Sequence, residues 1–155
     1  MFDQEIIEIA VNNIGTAQEA LEYLGRKMIE KGVGKETFVK AIVEREKVFP
    51  TGLQFDGYGV AIPHTDAEHV LKNQIAVMTL KEPVIFNQMA NEQIHVPVNT
   101  IFMLAINQPH AQLEVLQQLM SLLQDKTVME SINNLTNTPQ HIQSIIAMLK
   151  SNGIY

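Results

Sequence analysis

A short apolar run without alternation, from Val60 to Ile62, is the feature that most constrains how this chain can fold. Neighbouring side chains on a strand point to opposite faces of a sheet, so consecutive apolar residues are typical of a strand covered on both faces. Two glycines precede the run and permit a tight turn. Pro63 lacks an amide hydrogen and favours an extended conformation at Ile62, so pairing should end there. The sequence therefore predicts a buried central strand with His64 as the first residue free to leave it.

Further apolar runs predict the other strands. An N-terminal strand is expected at residues 5–11, and β-compatible runs follow at 75–80 and 84–86. The longest apolar run, at 98–106, is typical of a central strand, and Pro97 is interpreted as marking where it can first pair. The segment at 53–58 is interpreted as a loop.

Helices are expected on both sides of these strands. Thr16 and Glu19 have the spacing of a capping box, which predicts a helix that ends at Gly32. A second helix should start at residue 35 or 36 and end before Pro50, and a third should start at Pro109. A short helix is expected at 127–135, and a last one should begin at Thr138 with a proline in its first turn. The expected fold is α/β, with a central mixed β-sheet sandwiched between helices in a single domain at residues 1–155.

The composition excludes several function classes. Eleven Lys and Arg against 17 Asp and Glu give a formal net charge of −6, which argues against nucleic acid as a partner. The chain has no cysteine, so neither a disulfide framework nor a thiolate metal site is expected. No apolar stretch reaches the ~18 residues of a membrane helix, and the acidic start lacks the basic region of a signal peptide. We expect a soluble cytoplasmic protein without direct membrane insertion.

Neither a metal nor a cofactor is expected. His64, Asp66 and His69 stand at positions i, i+2 and i+5, a spacing that does not place three ligands on one helical face. The chain also lacks a phosphate-binding loop with the Gly-Lys-Ser/Thr signature and a Gly-x-Ser-x-Gly motif.

His64 is the main candidate for chemistry. A neutral imidazole can attack phosphorus with one ring nitrogen while the other, still protonated, is held by a carbonyl acceptor. Phosphoryl transfer needs positioning and charge stabilisation more than covalent chemistry, and the end of a rigid strand supplies positioning. From spacing alone, a capping or structural histidine explains the pattern about as well.

The residues around His64 resemble a known family. The run Gly59 to His64, Gly-Val-Ala-Ile-Pro-His, is similar to the phospho-acceptor motif of enzyme IIA domains of the phosphoenolpyruvate-dependent sugar phosphotransferase system, in the fructose and mannitol superfamily. Arg45-Glu46 resembles the family's Arg-Glu element, and Thr51-Gly52 resembles its Thr-Gly element. The similarity extends in order over nearly all 155 residues. The longer link at 53–58 resembles galactitol-type members.

The resemblance implies an enzyme IIA fold of the mannitol/fructose type and a phosphotransferase component. It implies that His64 accepts a phosphoryl group from phospho-HPr and passes it to a cognate enzyme IIB, with the sugar phosphorylated during transport through a membrane enzyme IIC. The alternative is a regulatory protein of the same fold, in which phosphorylation of His64 controls binding to a transporter, kinase or transcription factor.

Three further side chains are candidates for the site. Arg45 is expected to stabilise the phosphoryl group because a guanidinium can bind two phosphate oxygens at once, although it could instead pair with Glu44 or Glu46. The family's second histidine corresponds to Gln112 here, whereas His110 lies two positions earlier, and either could approach His64. Two aromatic residues, Phe55 and Tyr58, are expected on the rim where partner proteins dock, unless they pack inward.

Overall fold

The strands form one mixed sheet with helices packed on both of its faces. The structure is a computed structural model that describes residues 5–154, apart from the side chain of Pro109. Residues 1–4, on which the expectation about a signal peptide rests, lie outside the described residues, as does Tyr155. In chain order the elements are β1 (Ile7–Val11), α1 (Ala17–Glu30), α2 (Phe38–Val48), β2 (Gly52–Phe55), β3 (Tyr58–Ala61), β4 (Gln74–Gln88), β5 (Asn91–Ala105), α3 (Pro109–Leu123), α4 (Lys126–Asn133) and α5 (Pro139–Ser151).

The strand order is β1-β4-β2-β3-β5, and β4 also pairs with β5. The β2–β3 and β4–β5 pairs are antiparallel, whereas β1–β4 and β3–β5 are parallel, which confirms the predicted mixed sheet. Val60 pairs with Thr100 in the parallel β3–β5 pair. Parallel strands end at the same edge of a sheet, so the chain leaves β3 and β5 side by side.

Two apolar cores lie on the two faces of the sheet. Val60 and Ile62 belong to the core that α3, α4 and α5 cover, whereas Ala61 belongs to the core covered by α1 and α2. All three residues are almost completely buried. The prediction of a strand covered on both faces, made from the absence of alternation, is therefore confirmed, although regular β3 pairing ends one residue earlier, at Ala61.

The segment at 53–58 is a hairpin, so its interpretation as a loop was wrong. Phe55 pairs with Tyr58 across the Asp56-Gly57 turn, and Gly57 has a φ of 84°, which a side chain would disfavour. Each strand of this hairpin has only four residues, too few to show a clear period-2 pattern.

The expectation that Phe55 and Tyr58 lie on a docking rim was also wrong. Tyr58 is buried, its hydroxyl donates a hydrogen bond to the Leu123 carbonyl, and the Phe55 ring stacks on it at 5.2 Å between centroids. Both rings flank the turn between β2 and β3, whereas His64 follows the other end of β3.

The runs at 75–80 and 84–86 are parts of the single strand β4. Its partner β5 begins at Asn91, so the interpretation of Pro97 as the start of pairing was wrong. Pro97 lies opposite Ile85, and the neighbouring pairs Phe86 with Val96 and Val84 with Val98 continue the ladder on both sides. Exposed residues alternate with these buried ones, among them Ile85, Asn87, His95 and Pro97, so the outer half of the hairpin is covered on one face only.

The helix boundaries follow their predicted caps. The Thr16 side chain accepts a hydrogen bond from the Glu19 amide at 3.1 Å, and the Thr138 side chain accepts one from the His141 amide at 3.2 Å. Helix α3 begins at Pro109, as expected. Helix α2 begins at Phe38, two or three residues later than predicted, and its last turn carries Arg45.

Candidate functional site

Backbone hydrogen bonds hold the chain on the approach to His64. The Ile62 amide donates to the Thr51 carbonyl at 3.3 Å, and the Pro63 carbonyl accepts from the Leu104 amide at 2.9 Å. His64 itself forms a parallel bridge with Leu104 of β5. Residue 64 therefore has a position set by β2 on one side and by β5 on the other.

The imidazole of His64 has a defined tautomer. Its Nδ1 lies 2.9 Å from the Ile62 carbonyl oxygen, which can only accept a hydrogen bond. Nδ1 must therefore carry the proton and donate it, which leaves the lone pair of the neutral ring on Nε2. The side chain is partly exposed, so this nitrogen belongs to a residue that a partner can approach.

The surroundings favour the neutral imidazole. Burial is the largest effect and lowers the pKa of His64 below its ordinary value of 6.5, and the positive charge of Arg45 lowers it further. The hydrogen bond to Ile62 and the negative charge of Asp66 act in the opposite direction but do not outweigh burial. At neutral pH the ring is therefore unprotonated at Nε2 and can act as a nucleophile.

Arg45 lies on the same side of the molecule as His64. Its Nη1 donates a hydrogen bond to Oδ1 of Asp66 at 3.0 Å, two residues beyond the histidine. The guanidinium also lies over the Phe49 ring, 5.2 Å from its centroid. Arg45 therefore pairs with Asp66 rather than with Glu44 or Glu46, the alternative considered from the sequence.

A groove of about 420 Å³ runs beside these residues, between α2 and the segment that follows His64. Arg45 and Lys40 contribute positive charge to its walls, and Thr65 contributes a buried hydroxyl-bearing side chain. His69, which also lines the groove, has its Nδ1 at 2.8 Å from the Thr37 hydroxyl. Residues 67–69 form a single 3₁₀ turn after His64. Within residues 5–154, no group of three His, Asp or Glu side chains is arranged to hold a metal ion.

Comparisons with known proteins identify the family of this chain. The sequence profile of the family described as "Phosphoenolpyruvate-dependent sugar phosphotransferase system, EIIA 2" matches residues 1–148. The chain belongs to this EIIA family. It is therefore a phosphotransferase component, with the phosphoryl-carrier role of an EIIA domain.

Two curated relatives illustrate the range of the family. The galactitol-specific EIIA component of Escherichia coli (strain K12) is 32% identical over 120 residues, which cover 77% of this chain and 79% of that protein. The transcriptional regulator ManR of Bacillus subtilis (strain 168) is 35% identical over 103 residues, covering 66% of this chain and 14% of ManR.

The fold is also that of solved EIIA domains. The mannitol enzyme IIA of Escherichia coli, determined in complex with phosphorylated enzyme IIB, aligns with a TM-score of 0.74 and 24% identity over 95% of this chain and 97% of that one. The predicted mannitol/fructose-type EIIA fold is confirmed. No helix in the described part of this EIIA domain is long and apolar enough to cross a membrane.

The two remaining candidates begin α3, which starts five residues after Leu104, at the same edge of the sheet as His64. Gln112 is partly buried in the first turn. His110 is 89% exposed and its Nε2 faces Glu114 of the same helix at 3.7 Å. Among the described residues, no hydrogen bond or ion pair joins either side chain to His64.

Sequence reasoning missed the role of Glu46 in this EIIA domain. Its carboxylate accepts a hydrogen bond from the Thr51 amide at 2.9 Å and another from the Thr51 hydroxyl. Burial raises the pKa of Glu46 from 4.5 to about 7, although the two hydrogen bonds from Thr51 act to lower it. The signal available in the sequence was the closeness of the Arg45-Glu46 and Thr51-Gly52 motifs, which lie at the end of α2 and around the start of β2.

Exposed apolar residues next to Arg45 were also missed. Val48 and Phe49, at the end of α2, have exposed fractions of 65% and 60%. The signal in the sequence was two apolar residues immediately before Pro50, where the helix must end.

Proposed function

We propose that this EIIA domain carries a phosphoryl group on Nε2 of His64, which it accepts from phospho-HPr and passes to a cognate enzyme IIB during galactitol-like sugar uptake. The observation that carries the proposal is the 2.9 Å contact between His64 Nδ1 and the Ile62 carbonyl, since it leaves Nε2 as the nucleophilic nitrogen. The proposed assignment to galactitol rests on the identity with the galactitol-specific EIIA component.

The transfer requires one bond to form as another breaks. The Nε2 lone pair attacks the phosphorus atom of the donor, a P–N bond forms, and the bond between phosphorus and the HPr carrier atom breaks with its electron pair leaving on HPr. In the second step the enzyme IIB nucleophile, which we take to be a cysteine thiolate, attacks the same phosphorus atom. The P–N bond then breaks and its electrons return to Nε2.

Arg45 is the proposed stabiliser of the transferred group. A guanidinium has five N–H donors, and the contact with Asp66 that the structure contains occupies Nη1. The other donors can bind equatorial phosphoryl oxygens, which carry more negative charge than a single carboxylate. In this proposal Asp66 orients Arg45 towards the ring rather than neutralising it.

Gln112 is the better of the two α3 candidates for contacting the phosphoryl group. It is partly buried at the edge of the sheet where His64 emerges, and its amide can donate a hydrogen bond. His110 is almost fully exposed and faces Glu114, so we assign it no role in the transfer.

The proposed partners are proteins, namely HPr, the cognate enzyme IIB and, through it, the membrane enzyme IIC. Val48 and Phe49 replace Phe55 and Tyr58 as the proposed docking residues, because they are exposed and border the groove beside Arg45. We propose that residues 1–155 act as one domain in the cytoplasm, without a cofactor, a metal ion or nucleic acid.

A reconstituted relay tests the proposal. The purified chain is incubated with radiolabelled phosphoenolpyruvate, enzyme I and HPr, and then with galactitol, mannitol and fructose enzyme IIB domains in parallel. We expect an acid-labile label on the wild-type chain, none on His64→Ala, and onward transfer to the galactitol IIB domain at the highest rate. An unlabelled wild-type chain would overturn the carrier proposal, and faster transfer to another IIB domain would overturn the galactitol assignment.

The second candidate function is regulation, which the similarity to ManR favours. In that case the chain would be labelled on His64 by the same mixture, but none of the IIB domains would accept the group. Transfer to any IIB domain at a rate comparable with labelling would favour transport.

A further inference from the structure

A buried contact connects the helix that carries Arg45 with the strand that supports His64. Glu46 follows Arg45 in the last turn of α2, and its carboxylate accepts hydrogen bonds from the amide and the hydroxyl of Thr51. Thr51 is 4% exposed. The Thr51 end of the contact is therefore buried, whereas Glu46 itself is partly buried.

The other end of this connection reaches the histidine. The Thr51 carbonyl accepts the Ile62 amide at 3.3 Å, and the Ile62 carbonyl accepts the Nδ1 proton of His64 at 2.9 Å. Two residues, Thr51 and Ile62, thus link the Glu46 carboxylate with the imidazole through three successive hydrogen-bonded steps. The next residue, Gly52, pairs with Ala61 of β3, so the same connection is anchored in the sheet.

A second link between Arg45 and His64 passes through Asp66, two residues after the histidine. Their elements, α2 and β3, are separated in the chain by β2, and the direct contact of Arg45 is with the exposed carboxylate of Asp66. The Arg45–Asp66 pair can orient the guanidinium, but it is too exposed to hold helix α2 in place, because solvent screens its charges. The partly buried Glu46 carboxylate, which accepts two hydrogen bonds from Thr51, is a stronger constraint on the helix.

We propose that Glu46 is a positioning residue for phosphoryl transfer, which holds α2 against Thr51 so that Arg45 lies at the correct distance from His64. This inference rests on the proposed function and assigns a role that the chemistry of His64 and Arg45 alone does not require. Burial raises the pKa of Glu46 to about 7, so this carboxyl lies at a site that penalises its charged form. Perturbed groups of this kind are concentrated at functional sites.

The effect should appear in the rate of transfer rather than in docking. Glu46 does not touch the reacting atoms or the exposed docking residues, so its loss should change kcat more than the KM for phospho-HPr. A displacement of about 1 Å in a reacting group can cost about 100-fold in rate. We expect Glu46→Ala to lower kcat by roughly tenfold or more, with a change in KM of less than about threefold.

A double-mutant cycle with Arg45→Ala separates positioning from general destabilisation. If Glu46 acts by placing Arg45, it has nothing left to place once the guanidinium is absent, so Glu46→Ala should have little further effect in that background. Independent effects that multiply would overturn the inference. Glu30→Ala removes an exposed carboxylate at the end of α1, which does not line the groove beside Arg45; it is the control and should retain the wild-type kcat.

Thr51 provides a second route if Glu46→Ala does not fold. Thr51→Val removes the hydroxyl but keeps the shape and the amide, and it should lower kcat in the same direction by a smaller factor, whereas Thr51→Ser should restore it. A wild-type kcat in folded Glu46→Ala or Thr51→Val would overturn the positioning role while leaving the carrier proposal intact. Failure of the wild-type chain to become labelled would instead overturn the carrier proposal itself.

Discussion

Arg45 and Asp66 form a 3.0 Å hydrogen bond between the last turn of α2 and the segment that follows the candidate nucleophile. Twenty-one residues separate them in the chain. The pair places one positive and one negative group within electrostatic reach of the His64 ring, where they shift its pKa in opposite directions. The exposed fractions of the two side chains are 32% and 69%, so the pair organises the site more than it stabilises the fold.

Replacing His64 should abolish phosphorylation. His64→Ala and His64→Gln remove the Nε2 nucleophile, so neither variant should be labelled by phosphoenolpyruvate, enzyme I and HPr. His110→Ala is the matched control, because its ring is exposed and faces Glu114, and it should be labelled like the wild type. Labelling of a folded His64→Ala chain at the wild-type level would place the acceptor elsewhere.

Replacing Arg45 should slow transfer without unfolding the protein. A charged hydrogen bond is worth about 1.5–3 kcal/mol, which corresponds to a loss of roughly 10- to 100-fold in the rate for Arg45→Ala. Rapid-quench measurement of labelling gives the rate, and thermal unfolding should show a Tm close to that of the wild type. Arg45→Lys should recover only part of the rate, since an ammonium lacks the planar pair of donors. A rate within twofold of the wild type in Arg45→Ala would remove Arg45 from the site.

The rate of phosphorylation should fall only at acidic pH. Because burial lowers the pKa of His64 below 6.5, Nε2 stays unprotonated to a lower pH than in an exposed histidine. NMR titration of the ring should give a midpoint below 6.5, and the labelling rate should fall with the same midpoint after correction for the donor system. Asp66→Asn should lower that midpoint further, since the Asp66 charge raises the pKa. A midpoint at or above 6.5 in the wild type would contradict the assigned environment.

The same shift has a consequence for stability. The unfolded chain binds a proton at His64 at a higher pH than the folded chain does. The contribution of His64 to the free energy of unfolding is therefore fully present above pH 6.5, and it is lost as the pH falls through the lower pKa of the folded state. The loss should be smaller in His64→Gln, as measured by chemical denaturation at several pH values.

Glu46 should have the opposite effect on stability. Its folded pKa of about 7 lies above the ordinary 4.5, so the folded chain binds more protons between these values and its stability decreases as the pH rises from 4.5 to 7. The difference in unfolding free energy between the wild type and Glu46→Gln should therefore change across this window and level off outside it. A flat difference for Glu46→Gln would contradict the raised pKa.

Gly59 should tolerate no side chain. A Cβ at this position would lie 2.0 Å from the Pro97 carbonyl oxygen, a backbone atom that cannot move without displacing β5. Gly59→Ala is expected to destabilise the protein by about 3 kcal/mol or more in urea denaturation. Gly15→Ala is the control, since a Cβ there would meet nothing closer than the Glu19 carboxylate at 3.8 Å, and its effect should stay within about 1 kcal/mol. Equal stability of the two variants would contradict the close packing of β3 against β5.

The features predictable from the sequence are those whose cause is local. The Thr16 and Thr138 caps follow from side chains that bond amides three residues away, and the burial of residues 60–62 follows from the absence of alternation. The β2–β3 hairpin was missed because its strands are short and include the polar Gln54. The Asp56-Gly57 turn was an available local signal for this hairpin, whereas no local pattern specifies the pairing of β2 with β4 or of β3 with β5.

The site was predictable only in part for the same reason. His64 follows a proline at a strand end, which is a local signal, and its resemblance to a family motif gave it a role. The partner of Arg45 and the contact between Glu46 and Thr51 depend on how α2 packs beside the sheet. Several acidic residues near Arg45 in sequence were equally plausible partners, and only the three-dimensional arrangement distinguishes Asp66.

The pairing of Pro63 with Leu104, together with that of Ile62 with Thr51, leaves the imidazole on a main chain that cannot swing outward. A phosphoryl carrier of this kind cannot extend its reacting ring towards a partner. Each protein that exchanges a phosphoryl group with His64 must bring its reacting atom to a fixed ring. The shape of the partner's surface, rather than a hinge in this domain, therefore determines which encounters lead to transfer.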